Sequence, residues 1–267
     1  MTNYRHMNRL NWNDRTRIHA KSKFYDVEAF VSGDTKLSEL DQAELGSVAG
    51  RTMLHLQCHF GKDSLAWAQA GAKVTGVDFS EEAITLARSL NEQMGLDARF
   101  ICSDIYEAHE ALQGEQFDIV YTSYGVLCWL SDLNLWAKLI FSSLKEGGTF
   151  YIAEFHPIAF IYEVVDNLLL VSTPYFDREV QAYDASTTYT GDDDVLEHST
   201  SYQWQHTLGD IVSALTGAGL TLEFLHEHSY TVYNMFPGHM QQDEQGRWRL
   251  QDNNYLPLLF SIKATKT

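Results

Sequence analysis

From about residue 50 onward, short apolar runs alternate with segments of helical length, and this rhythm constrains the fold more than any other feature of the chain. A strand, a crossover helix and a second parallel strand form the unit that such alternation encodes. The expectation is therefore an α/β domain on a doubly wound, mostly parallel sheet. The strand candidates are residues 52–57 (TMLHLQ), 73–77, 98–102, 117–122 and 149–154, a sixth near 222–227 and a last one over 256–264. Recognisable ends mark the helices between them. Ser80 can cap a helix with Glu81 and Glu82 in its first turn and Gly95 just past its end. Ser131 or Asp132 opens another that runs to Lys145, with Leu133, Trp136, Leu139, Ile140 and Leu144 on one face. Thr207 and Asp210 make a capping-box-like pair before a helix that ends at Gly219.

Two stretches fall outside the rhythm. Residues 1–45 are polar and dotted with aromatics, and read as a helical extension lying over one face of a domain that spans 46–267. Residues 158–205 read as a β-rich insertion between strands five and six, with β-like segments at 183–189 and 196–204 around Gly191. The N-terminus has no apolar run of the kind a secretory signal needs, and the most apolar long window, 157–174, is broken by Glu163, Asp166 and Asn167. Cys58, Cys102 and Cys128 are odd in number and form no CxxC, so reduced thiols in a cytoplasmic protein are expected rather than disulfides or a zinc site. The run Asp192 to Asp194 reads as a solvated turn, and no metal is called for. Nineteen Lys and Arg against 36 Asp and Glu give a net charge of −17, which argues against a nucleic-acid or anionic-membrane partner.

Ligands of open α/β sheets bind outside the carboxyl ends of the strands, where the strand order reverses. Those ends gather Gln57, Cys58, His59 and Gly61 after strand one, Asp78 after two, and Ser103 and Asp104 after three. Ser123 and Tyr124 follow strand four, and Glu154 and His156 follow five. A carboxylate at the end of strand two, about 20 residues past the first turn, can accept from both hydroxyls of a ribose diol, and Asp78 stands there.

The run LHLQCHFGKDSLAWAQAGAKVTGVDFS at 54–80, followed in order by FDIVYTSYGVLCWL and EGGTFYIAEFHP, resembles the class I S-adenosylmethionine-dependent methyltransferases over about residues 50–155. The family's glycine-rich loop falls on Gln57, His59 and Gly61, so only its third glycine is kept, and His55 replaces the usual acidic residue of strand one. The resemblance implies S-adenosyl-L-methionine as cofactor. It puts Asp78 on the ribose, Phe79 beside the adenine, Asp104 and the Ile105 N–H on the adenine edge, and Ser123 facing the methionine portion. Trp12, Arg15, His19 and Tyr25 resemble a lid over the cofactor, with Tyr25 as a partner of its carboxylate. Catalysis would be in-line displacement of the methyl group onto a small-molecule acceptor, and His156, Glu154, Tyr124 and His206 are the candidate bases.

Plainer roles stand beside these. His59 can be a turn residue, Asp104 a helix cap, and His156, which precedes a proline, a backbone-bonded residue. Two other functions fit the same fold: an NAD(P)-dependent oxidoreductase, although a GxGxxG fingerprint is missing, and a non-catalytic S-adenosylmethionine-binding protein. A monomer or homodimer is expected.

Overall fold

The computed structural model describes residues 3–34, 37–251 and 255–267. Its centre is a seven-stranded sheet made of β1 (Thr52–Leu56), β2 (Lys73–Asp78), β3 (Arg99–Cys102), β4 (Phe117–Ser123), β5 (Leu144–Phe155), β6 (Leu220–His228) and β7 (Leu259–Lys266). The order across the sheet is β6-β7-β5-β4-β1-β2-β3. β1 to β5 run parallel, whereas β7 is antiparallel to both β5 and β6. The order reverses between β1 and β4, which sets the crevice for a ligand at their carboxyl ends.

Period-two alternation sends successive side chains to opposite layers. Leu54, Val120, Phe150 and Ile152 enter a core shared with the helices Ala108–Ala111, Leu133–Ser143 and Leu208–Gly217. Their neighbours Met53, Ile119, Tyr121 and Tyr151 pack on the other face, beneath the helices Glu39–Leu45 and Lys62–Gln69. The Ser80 cap and the Thr207–Asp210 capping box form as expected.

Several boundaries move, each for a local reason. The helix expected to reach Lys145 ends at Ser143, because Leu144 turns extended and pairs with Phe117, so β5 begins five residues before 149. β7 begins at Leu259 instead of 256, since Pro257 has no N–H to give a ladder. The insertion holds a hairpin that the apolar window concealed. Tyr162–Val165 pairs antiparallel with Leu168–Val171 across Asp166 and Asn167, both left-handed at φ 49° and 59°. A second hairpin pairs Gln181–Asp184 with Thr200–Gln203, shorter than the two β-like segments expected there. Among the described residues no helix is long and apolar enough to cross a membrane.

Candidate active site

The loop after β1 keeps the backbone of a glycine-rich turn with only one glycine in it. Gln57 (φ 54°), His59 (φ 51°) and Gly61 (φ 77°) are all left-handed. Gly61 is obligatory for a second reason, since a Cβ there would stand 2.7 Å from the Phe100 ring. Gln57 and His59 hold their strained conformations through bonds at both ends of the turn. Gln57 Nε2 donates to the Val126 carbonyl at 3.0 Å, and the His59 N–H donates to Asp78 Oδ2 at 2.8 Å. Cys58 turns into the apolar cluster of Phe60, Leu65 and Phe100, so only its backbone borders the crevice.

Asp78 also accepts the Ser80 N–H at 2.9 Å. Burial nonetheless pushes its carboxyl up to about 6, against the pull of these backbone donors. Half-buried Phe79 follows it. At the tip of β3, Asp104 caps the short helix Ile105–Glu107 through the Tyr106 N–H at 2.9 Å, and lies 3.4 Å from Arg5. Ser103 donates its hydroxyl to the Asp104 carbonyl. Ser123 donates to Asp63 Oδ2 at 3.1 Å. The sequence reading passed over Asp63, because a carboxylate in the first turn of a helix needs no further explanation than the dipole. Burial raises its pKa as well.

Three of the proposed bases have other tasks. The Tyr124 hydroxyl meets Ser38 at 3.0 Å and Asp41 Oδ1 at 3.1 Å, beneath the helix Glu39–Leu45. Glu154 accepts four backbone N–H groups, from Gly125, Val126, Leu127 and Phe155, and thereby fixes the loop after β4. His156 Nδ1 accepts the Ile158 N–H at 3.1 Å, capping Pro157–Ile161, and its Nε2 lies 2.9 Å from Glu227. The structure thus gives Glu154 and His156 positioning contacts in the loops after β4 and β5, and it holds Tyr124 on Asp41. His206 remains. Its Nε2 donates to the Leu130 carbonyl at 2.7 Å, which leaves Nδ1 as the unprotonated nitrogen, and burial lowers its pKa. His206 lines a cleft beyond β4 and β5, together with Cys128, Glu154, Phe155, Phe160 and Trp204.

A roof covers the crevice. The helix Tyr4–His19 buries a stripe of polar side chains, Asn8, Asn11, Asp14, Arg15 and His19, against the insertion. Asn8 exchanges two hydrogen bonds with the backbone of Tyr202, at 2.8 and 2.7 Å, as a neighbouring strand would. Asn11 donates to the His198 carbonyl, and Asp14 accepts the His198 N–H. Beneath the roof, Trp12 lies 5.2 Å from the His59 ring and 5.3 Å from Trp129, while Tyr25 lies 5.5 Å from His59. The expected lid residues are thus gathered over the β1 loop. Burial holds His19 and His59 neutral, lowering them to about 2 and about 3.

A family model described as "Methyltransferase domain" matches residues 53–148, which hold β1 to β4 and the first part of β5. Residues 53–148 form a methyltransferase domain. The ubiquinone biosynthesis O-methyltransferase of Bordetella avium is 30% identical over 122 residues, 45% of this chain and 50% of that protein. Phosphoethanolamine N-methyltransferase 1 of Triticum aestivum is 28% identical over 143 residues, 50% of this chain and 28% of its own length. The chain thus spans half or less of these relatives. Among solved structures, an S-adenosylmethionine-dependent methyltransferase from Mesorhizobium loti superposes with a TM-score of 0.61 at 18% identity, covering 88% of this chain and 99% of that one. One from Methanosarcina mazei gives 0.55 at 20% identity, covering 86% and 98%. The matched residues therefore account for the parallel side of the sheet around its switch point, while β6, β7 and most of the roof lie outside residues 53–148.

Proposed function

We propose that this chain transfers a methyl group from S-adenosyl-L-methionine to a small-molecule acceptor in the crevice under the roof. The observation that carries this reading is the junction of the β1 loop with Asp78, where a glycine-loop backbone is tied to a carboxylate at the tip of β2. The residues fit such a cofactor. His59 Nε2, Gln57 Oε1 and His19 Nδ1 are buried without a hydrogen-bond partner, an arrangement that a polar ligand at the loop would relieve.

Asp78 would accept from the ribose hydroxyls, with Phe79 against the adenine and Asp104 and Ile105 at its edge. Ser123 and Asp63 would face the amino-acid end, Asp63 offering a carboxylate to its ammonium. When bound, S-adenosylmethionine supplies an electrophilic methyl on a sulfonium that leaves as a neutral thioether. The protein's own work is then alignment and exclusion of water, which suits a crevice closed by Trp12, Tyr25 and Trp129. His206 Nδ1, on the adjoining cleft, can take a proton from an acceptor that carries one. The relatives' names, one an O- and one an N-methyltransferase, support a small acceptor. We further read the chain as a cytoplasmic monomer or homodimer without a nucleic-acid or membrane partner, in keeping with its charge of −17.

Calorimetry with S-adenosylmethionine and S-adenosylhomocysteine tests the reading. Micromolar binding that is weakened in Asp78→Ala is the expected result. No heat at millimolar ligand would refute it. Binding of NAD(P) in place of either would favour the oxidoreductase.

A further inference from the structure

Among the described residues, Glu154 is the one charged side chain that lines the cleft beyond β4 and β5, and no Lys or Arg lines it. Its Oε1 accepts the N–H groups of Gly125 and Phe155, and its Oε2 those of Val126 and Leu127. Every lone-pair direction already faces a proton, so this geometry holds the group as a carboxylate. Peptide dipoles spread that charge without cancelling it, and a buried ion is costly without an opposite charge. The neighbouring cations are committed elsewhere. Arg178, whose charge reaches His206, pairs with Asp210, and Arg15 belongs to the roof, bonded to Asn11 and Thr188. The rest of the lining suits a cation. Phe155, Phe160 and Trp204 bring three aromatic rings, which attract cations as well as apolar bodies. His206 keeps Nδ1 as an acceptor, and Gln205, whose amide donates to the Pro157 carbonyl, keeps its Oε1. Phe160 is 40% exposed, so the cleft is open to solvent on that side.

We propose that the methyl acceptor is an amine with an apolar body, held in this cleft as its ammonium by Glu154 and the three aromatic rings, and methylated on nitrogen. This rests on the methyltransferase reading of the site. The cleft and the cofactor crevice meet at the loop after β4. Gln57 of the β1 turn donates to the Val126 carbonyl, while the Val126 N–H rests on Glu154, so one residue joins the cofactor turn to the carboxylate. With its lone pairs taken, Glu154 acts on the ammonium through charge, and His206 Nδ1 is left to accept an N–H. The ammonium gives a proton to His206 Nδ1, and its freed lone pair forms the N–CH3 bond as the S–CH3 bond breaks with its electrons going to sulfur. A methylated ammonium and a neutral thioether result, and His206 returns its proton to water. The net charge of −17 favours the approach of such a cation over that of an acid.

The test uses the full chain saturated with S-adenosylhomocysteine and titrated calorimetrically with benzylamine, phenethylamine and 3-phenylpropylamine and with the matching alcohols and carboxylic acids. At least one amine is expected to bind tenfold or more tightly than its alcohol, with the acid weaker still. With S-adenosylmethionine in place of the product, mass spectrometry should find the new methyl group on that amine's nitrogen. In Glu154→Gln the preference for amine over alcohol should fall below threefold while S-adenosylhomocysteine binding stays within threefold. If that variant does not fold, Trp204→Leu decides, with the preference expected to fall at least threefold. The proposal is overturned if no amine is preferred, if no bound amine is methylated, or if the preference survives in the variant that decides. It is also overturned if Glu154→Gln weakens S-adenosylmethionine tenfold more than S-adenosylhomocysteine, since the carboxylate would then serve the sulfonium. Absence of S-adenosylhomocysteine binding in the unaltered protein would instead refute the methyltransferase reading itself.

Discussion

The His59 backbone N–H donates to Asp78 Oδ2 at 2.8 Å, so the strained turn after β1 and the carboxylate ending β2 are one unit. A non-glycine residue in the left-handed region costs about 1–2 kcal/mol. This turn contains two, Gln57 and His59, each retained by its own hydrogen bond or ring contacts.

Gln57→Gly should therefore be close to neutral, because relief of strain offsets the lost bond to Val126, each worth about 1 kcal/mol. Gln57→Val, which forces a β-branched side chain into the same φ, should destabilise by more than about 2 kcal/mol. Urea denaturation of the two variants checks the contrast, and equal stabilities would show that the turn relaxes.

Asp78 gives a pH dependence with a definite sign. Its carboxyl titrates near 6 in the free protein, and hydrogen bonds from a ribose favour the ionised form. Affinity for S-adenosylhomocysteine should rise from pH 5 to about 6 and level off above. Asp78→Asn should weaken binding by about 1–3 kcal/mol and flatten the profile, as followed by calorimetry between pH 5 and 8.

Glu154→Gln should cost about 1–3 kcal/mol, since an amide cannot accept the four N–H groups that the carboxylate holds. Hydrogen exchange at Gly125, Val126 and Leu127 should accelerate, and unaltered exchange would contradict the assignment.

Asp41 sits 1% exposed under three tyrosine hydroxyls, those of Tyr121 (2.7 Å), Tyr124 (3.1 Å) and Tyr151 (3.2 Å). Burial still raises its carboxyl to about 7, from an ordinary 3.8. The native state then holds a proton that the unfolded chain has lost, so this contribution to stability is full below about pH 4 and is lost as the pH rises through 7. Asp41→Asn should gain on the unaltered protein over that window by an amount on the order of 3 kcal/mol, read from denaturation at pH 4.5, 6 and 7.5.

The sheet was legible because its strands and crossover helices carry their own periodicity and caps. The position of Asp78 at the tip of β2, beside the β1 turn, was legible because both follow directly from the strand ends. The contacts of Tyr124, Glu154 and His156 were not legible, since a strand tip does not reveal whether backbone donors or a neighbouring helix already occupy the side chain. The helix Tyr4–His19 was harder still. Its inward stripe of Asn8, Asn11, Arg15 and His19 has the spacing of a solvent-facing surface, and its partners lie far away in the chain.

That distance has a consequence for how the protein is assembled and how it diversifies. The contacts of Asn8 with Tyr202 and of Asn11 with His198 span 194 and 187 residues. Bringing such segments together demands a loop closure that the sheet must first template, so the roof is expected to fold last and to open first as a separate cooperative unit. The same bonds join the N-terminal helix and the insertion into one structural unit. A lineage that exchanges the insertion without the N-terminal helix would leave the buried amides of Asn8 and Asn11 without their partners, so the two elements are expected to change together.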